Sequence, residues 1–340
     1  MNERMRDAAA AALLFLVLTG LYLGTGVPSI LFEDTGEFAT GSAVLGVAHP
    51  PGYPLYLILG HVWSRFPVSE AGFCLAAFSG VCAALGCVLV FVSCRVLGLS
   101  RAAGLAAGLA LGFSRTLWSQ AVIPEVYGLN VLLIGASLAA VAQFVRSRDA
   151  RWLPVACLLL ALNFLNHYTA FFTFVPAVVL AGLRLRGGGS DARGGLWAEL
   201  LCGALGALAW AAAMVWVAGP LMGLSPVWRY IAAGAVPAGL AASLVPSVRP
   251  RVRPEIAAAG ALLFASGLCV LLYLPLRAAL QPALNWGNHV ETLSGFVELL
   301  RRSQFMLWEN QLAWFHWPTK WSYFMHFIEG LPREISAAFV

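Results

Sequence analysis

Nine apolar runs, each 15 to 25 residues long, occupy most of this 340-residue chain. They lie at 8–27, 73–97, 102–122, 126–145, 152–166, 168–183, 197–218, 227–247 and 256–275. A helix needs about 20 residues to cross the hydrocarbon core, and a helix satisfies its backbone polar groups within one segment. The strands of a β-barrel would instead alternate over about 10 residues. Only 11% of the residues are charged and 60% are apolar, against about 25% charged in a soluble domain. The expected fold is all-α: a polytopic membrane bundle of about nine spans over residues 1–276. Its first outer loop, 28–72, carries short amphipathic helices, and 277–340 forms an outer-face amphipathic segment.

Arginine orients the bundle. Clusters at Arg4/Arg6, Arg95/Arg101, Arg146/Arg148/Arg151, Arg184/Arg186/Arg193 and Arg249/Arg251/Arg253 share one face if every run crosses once. The positive-inside rule makes that face cytoplasmic. Residues 152–183 have arginine on both flanks, so the chain must reverse near Asn166 and His167. The net charge of +5 arises from these span ends and indicates no nucleic-acid partner. The seven cysteines all fall within apolar runs, which points to packing rather than to a disulfide framework or a zinc site. The N-terminal run follows a signal-like basic start but has no clear small-x-small cleavage site, so it reads as a retained span, with cleavage as the alternative.

This topology places nearly every unusual polar residue outside. The stretch LFEDTGEFATGSAVLGVAHPPGYPLY, residues 31–56, holds Asp34, Glu37, His49 and Tyr53. Asp-Thr-Gly-Glu has the spacing of a capping box, with Asp34 as N-cap of a helix over about 35–46 and Glu37 reaching back. Asp34 can equally be a general base or a cation ligand; a cap would hold it still for either task. Pro50, Pro51 and Pro54 fix three φ angles, and Pro54 suits the first turn of a helix ending near Trp63. This rigid loop is either a connector or a mount for His49 and Tyr53. Glu125 and Tyr127 open the next outer segment, where Glu125 also complements a helix start. Asn166 and His167 form either a hydrogen-bonded hairpin tip or part of a substrate pocket. Arg277, Arg301 and Arg302 stand on the outer face against the topology rule and suit a phosphate, whether of a headgroup or of a substrate. No P-loop, HExxH, GxSxG or dinucleotide fingerprint is present, which removes support for nucleotide-driven, zinc-protease and serine-hydrolase chemistry.

The blocks EDTGEF…LGVAHPPGYPLY, PEVYGLN, LNHYT, YLPLRAA and LNWGN, in this order over about residues 20–310, resemble a bacterial multi-pass family. Its eukaryotic relative is a protein O-mannosyltransferase of extracellular immunoglobulin-like (plexin-type) domains, and it is similar to the GT-C glycosyltransferases. The resemblance implies an inverting transfer of a sugar, mannose being a candidate, from a polyprenyl-phosphate donor to an extracytoplasmic protein Ser/Thr or glycan. Asp34 would be the catalytic acid-loop residue. Glu37, His49, Tyr53, Glu125, Tyr127, Asn166, His167, Asn285 and Trp286 would line the sugar or acceptor pocket. Arg277, Arg301 and Arg302 would hold the lipid phosphate, so that Asp34 and Arg277 face one pocket. The expected setting is a bacterial inner membrane among membrane lipids, with further spans beyond residue 340; a divalent cation is a candidate cofactor. The competing function class is a transporter or flippase of a lipid-linked glycan, which predicts polar groups at mid-depth reachable from both sides. A non-catalytic scaffold, the third class, predicts that Asp34 is replaceable.

Overall fold

The computed structural model describes residues 2–31, 34–66, 70–167, 254–286 and 289–301. Four helices among them are long and apolar enough to cross a membrane. These are α1 (Glu3–Thr25), α4 (Ala71–Val96), α7 (Val126–Ser147) and the run Pro254–Ala279. The last consists of α9 (Pro254–Leu268), a 3₁₀ turn (Cys269–Leu272) and α10 (Tyr273–Ala279). Shorter helices complete the described part: α2 (Thr35–Val44), α3 (Pro54–Trp63), α5 (Arg101–Gly112), α6 (Arg115–Ala121), α8 (Trp152–Asn166) and α11 (Leu293–Arg301). The expected runs at 168–183, 197–218 and 227–247 lie outside the described residues.

The run at 102–122 is not one helix but two. Ser114 ends α5 by donating to the Leu111 carbonyl at 2.8 Å and opens α6 by accepting from the Leu117 N–H. A serine that offers the backbone both an acceptor and a donor competes with the continuous ladder, and here it wins.

Helices α4 and α7 cross closely because small residues face each other. Gly135 lies against the Gly86 carbonyl, and a Cβ at Gly128 would overlap the Ser79 carbonyl oxygen. Lipid supplies no hydrophobic force between helices, so such close backbone approach carries the packing. At one end of the bundle Asp7 of α1 joins Arg95 at 3.0 Å and Arg101 at 2.7 Å. This ion layer ties the start of α1 to the end of α4 and the start of α5. Arg4 and Arg6, in the first turns of α1, stand at this same end.

At the opposite end α2, α3 and the loop between them form a cap. Phe38, Tyr53, Tyr56, Leu57, Leu75, Phe78, Val126 and Leu129 are buried there in one apolar core. The C-terminal segment returns to this cap: Val47 and Asn285 form an isolated parallel bridge, with the Val47 N–H donating to Leu284 and the Trp286 N–H donating to Val47, each at 2.9 Å. The loop contains a cis Pro50–Pro51 peptide and turns at a glycine, Gly52, with φ +94°. A side chain at 52 would also meet Leu274.

Candidate active site

Asp34 occupies the N-cap position of α2, as the spacing suggests, but its side chain makes no capping hydrogen bond. Glu37 does not reach back to it either. Both Glu37 oxygens turn to His49: one accepts from the His49 backbone N–H at 2.5 Å, the other meets ring Nδ1 at 2.8 Å. The capping-box reading of Glu37 is therefore corrected. A partner 12 residues ahead, brought in by the proline loop, takes the carboxylate that the local pattern assigned to the helix start.

A carboxylate only accepts, so the proton of a neutral His49 ring sits on Nδ1. Nε2 then carries the lone pair, and it points toward the Asp34 carboxylate, 3.8 Å away. The Glu37 and His49 side chains are largely enclosed, whereas the Asp34 side chain is 49% exposed. The cluster thus has a rigid inner pair and an accessible outer acid. One ligand atom each from Asp34, Glu37 and His49 lies within 4.8 Å of the others. A nitrogen and two carboxylates suit a borderline divalent ion such as Zn²⁺ or Mn²⁺. Because Glu37 is already engaged with His49, such an ion would fall between Nε2 and Asp34, with Glu37 as the outer partner that orients the ligand.

Aromatic rings carry the site away from this cluster. His49 packs against Phe38 at 5.8 Å, Tyr53 at 5.0 Å and Trp286 at 6.3 Å between ring centroids. Tyr53 stacks on His167 at 6.4 Å, and His167 meets Tyr127 at 5.1 Å. The structure therefore joins Asp34, Glu37, His49, Tyr53, Tyr127, His167 and Trp286 into one chain of contacts from four separate stretches of chain, with His49 and Tyr53 buried within it.

Glu125 and Asn166 sit beneath that surface. Glu125 is buried, and its carboxylate accepts from the Val126 N–H at 2.9 Å, which matches the helix-start alternative. Asn166 is buried and donates to the Val126 carbonyl at 3.1 Å. Ser79, not singled out from the sequence, accepts from the Glu125 N–H and donates to its carbonyl. Asn163 was missed as well. It is fully buried one turn before Asn166, with neither side-chain polar atom partnered among the described residues. Only its place inside the polar interruption NFLNHYT signals it.

Of the three arginines, Arg277 alone has its side chain among the described residues. Arg277 donates through Nε to the Leu45 carbonyl at 2.7 Å and through an Nη to Val44 at 3.0 Å, closing the C-terminal end of α2. Asp34 stands at the other end of that 10-residue helix, roughly 15 Å away along its axis. The two share an end of the bundle and stand at opposite ends of α2. Asn285 donates to Ala278 at 3.4 Å beside the Val47 bridge and serves the same return segment. Arg301 ends α11, where its side chain lies outside the described part, as does the whole of Arg302.

Residues 34–186 match the family model described as the N-terminal domain of the protein O-mannosyl-transferase TMEM260. The mouse protein O-mannosyl-transferase TMEM260 is 34% identical over 119 residues, covering 35% of this chain and 17% of the mouse protein. The corresponding Dictyostelium discoideum protein is 26% identical over 143 residues, covering 41% of this chain and 18% of that one. The chain thus matches less than a fifth of the length of these curated relatives. No solved structure matches it. The chain is homologous to O-mannosyl-transferases across residues 34–186, a segment that holds Asp34, Glu37, His49, Tyr53, Glu125, Tyr127, Asn166 and His167 but not Arg277, Asn285 or Trp286.

Proposed function

We propose that this chain is an inverting glycosyltransferase. It moves one sugar, mannose being the first candidate, from a polyprenyl-phosphate donor to a hydroxyl of a protein Ser/Thr or a glycan. The observation that carries the reading is the Asp34–Glu37–His49 cluster, built from residues within the segment shared with O-mannosyl-transferases.

In this reading the acceptor hydroxyl, and not an ion, takes the place beside Asp34 and donates to its carboxylate, with His49 as a neighbouring wall of the site. Its proton passes to the Asp34 carboxylate while the oxygen forms a bond to the anomeric carbon. The bond from that carbon to the donor phosphate oxygen breaks, and its electron pair leaves with the polyprenyl phosphate. Attack from the face opposite the leaving group inverts the anomeric centre. Glu37 keeps His49 in one tautomer and one orientation, the logic of an orienting carboxylate behind a working histidine. The exposed rings of Tyr127 and Trp286 offer apolar faces for the sugar. The Asp7–Arg95–Arg101 layer lies at the far end of the bundle, which supports an extracytoplasmic site in an inner membrane under the positive-inside rule.

The test is transfer from radiolabelled polyprenyl-phosphate mannose to a Ser/Thr peptide by the purified chain. Asp34→Asn should lower turnover by about 10²-fold or more, the usual contribution of a positioned base. Its unfolding temperature should stay within a few degrees of the parent, because the Asp34 side chain makes no cap bond. Unchanged turnover in this variant removes Asp34 from the reaction.

A further inference from the structure

Tyr56 takes no part in the Asp34–Glu37–His49 cluster, yet this fully buried side chain of α3 is where the cap meets the bundle. Its hydroxyl lies 3.1 Å from Ser79 Oγ on α4. A serine hydroxyl has one proton and two lone pairs. The Ser79 proton goes to the Glu125 carbonyl at 2.9 Å, the shorter of two carbonyl contacts, since the Leu75 carbonyl lies at 3.3 Å. One lone pair accepts from the Glu125 N–H at 3.1 Å. A lone pair is what remains, so Tyr56 is the donor. Ser79 Oγ thereby joins α3, α4 and the entry to α7, two residues before Tyr127.

On the cap side one ring separates Tyr56 from the acid cluster. Tyr56 packs edge-on against Phe38 at 5.2 Å, and Phe38 packs on Tyr53 at 5.3 Å and on His49 at 5.8 Å between centroids. Phe38 sits one turn after Asp34 and donates its N–H to the Asp34 carbonyl at 2.9 Å. The two cap helices are tied together, because His61 of α3 donates through Nδ1 to the Ser42 carbonyl of α2 at 2.7 Å. Helix α3 is in turn pinned to α4 at both ends. Tyr56–Ser79 is the pin beside Phe38. The other, from Trp63 Nε1 to the Cys74 carbonyl at 2.9 Å, lies seven residues on, roughly 10 Å along the helix. A buried hydroxyl is unfavourable unless bonded, and phenylalanine would fill the same ring space. The hydroxyl at 56 therefore marks a place where the fold fixes the cap, not merely fills it.

We propose that Tyr56 is a positioning residue for the transfer step: through Ser79 it holds the Asp34–Glu37–His49 cluster in register with the bundle wall that carries Tyr127 and His167. Fully buried, it touches neither substrate. The proposal rests on the glycosyltransferase reading and adds to it the part that keeps its two halves aligned. An acceptor oxygen beside Asp34 must stay in line with the anomeric carbon, and a misplacement of 1 Å costs about 10²-fold in rate. Water is small and reorients freely, so it loses less than a bound acceptor when that alignment loosens. A cap released at the Tyr56 pin should therefore favour hydrolysis of the donor over transfer.

The test compares Tyr56→Phe with Trp63→Phe in the purified full chain, using radiolabelled polyprenyl-phosphate mannose and a Ser/Thr peptide. Each variant removes one hydrogen bond between α3 and α4, so both should lower the unfolding midpoint. Tyr56→Phe alone should lower kcat, by about tenfold, since a cap that keeps its second pin shifts by less than 1 Å. KM for donor and acceptor should stay within about twofold, because no substrate contact is lost. Free mannose relative to mannosylated peptide should rise severalfold. Ser79→Ala removes the same bond from the other side and should raise that ratio too, and the double variant should raise it no further. Parent-like kcat and product ratio in Tyr56→Phe, or the same changes in Trp63→Phe, overturn the assignment. Hydrogen exchange gives a readout that needs no turnover: amides within 34–49 should exchange faster in Tyr56→Phe than in Trp63→Phe. If the parent transfers no sugar, the glycosyltransferase reading falls, and the exchange difference alone decides whether Tyr56 holds the cluster. Equal exchange in the two variants refutes that hold.

Discussion

Glu37 grips His49 at two points, and that grip decides which ring nitrogen looks toward Asp34. Glu37→Gln keeps the size of the side chain but offers one acceptor where two donors need one each, so its amide N–H₂ opposes a donor. A hydrogen bond to a charged group contributes about 1.5–3 kcal/mol, so turnover should fall about tenfold or more. KM for the donor should hold, because Glu37 is turned inward rather than toward substrate. Steady-state kinetics with donor and acceptor varied separately check this; a change in KM alone would show that Glu37 touches the sugar. The individual residues of the cluster stand out in the sequence, because carboxylates and a histidine are conspicuous in an apolar chain. Their pairing does not. Asp-x-x-Glu at a helix start favours the local partner, and only the turn at Pro50–Pro51–Gly52 brings His49 within reach to displace it.

Helices are the most legible level, and their interruptions the least. Hydrophobic length alone finds α1, α4, α7 and α8 to within a few residues, and Pro54 marks the start of α3. It does not find the break at Ser114, since Phe113, Leu117 and Trp118 keep the run apolar while a hydroxyl redirects the backbone. Nor does it find the contact at Gly128, which depends on the opposing helix rather than on anything nearby in sequence. Gly128→Ala places a methyl group on the Ser79 carbonyl, so α4 and α7 must move apart or shift. Overpacking of this kind costs about 1–3 kcal/mol. Ser79 also holds the Glu125 backbone, so the strain falls directly beneath Tyr127. The expected result is a lower thermal midpoint in detergent together with weaker transfer, and Gly20→Ala, whose added methyl meets nothing within 4 Å, serves as the neutral control.

At the scale of the molecule the decisive contact joins the two ends of the described chain. Tyr273 donates to the Gly46 carbonyl at 2.8 Å, Arg277 closes the end of α2, and residues 284–286 pair with Val47 two positions before His49. Pairings this far apart in sequence leave no periodic trace, which is why an outer-face arginine reads naturally as a phosphate ligand when it stands alone. In the fold it holds the loop that presents His49. Arg277→Gln therefore tests two roles with different signatures. As a structural clamp, Arg277 satisfies two carbonyls at a helix end, and its loss exposes each to a cost of about 1–3 kcal/mol. The variant should unfold earlier and turn over more slowly, with KM for the polyprenyl-phosphate sugar nearly unchanged. As a phosphate ligand its loss would raise donor KM and leave the unfolding midpoint in place. The geometry favours the first outcome. Unfolding midpoint and donor KM measured on the one variant separate an arginine that shapes the site from one that meets the donor.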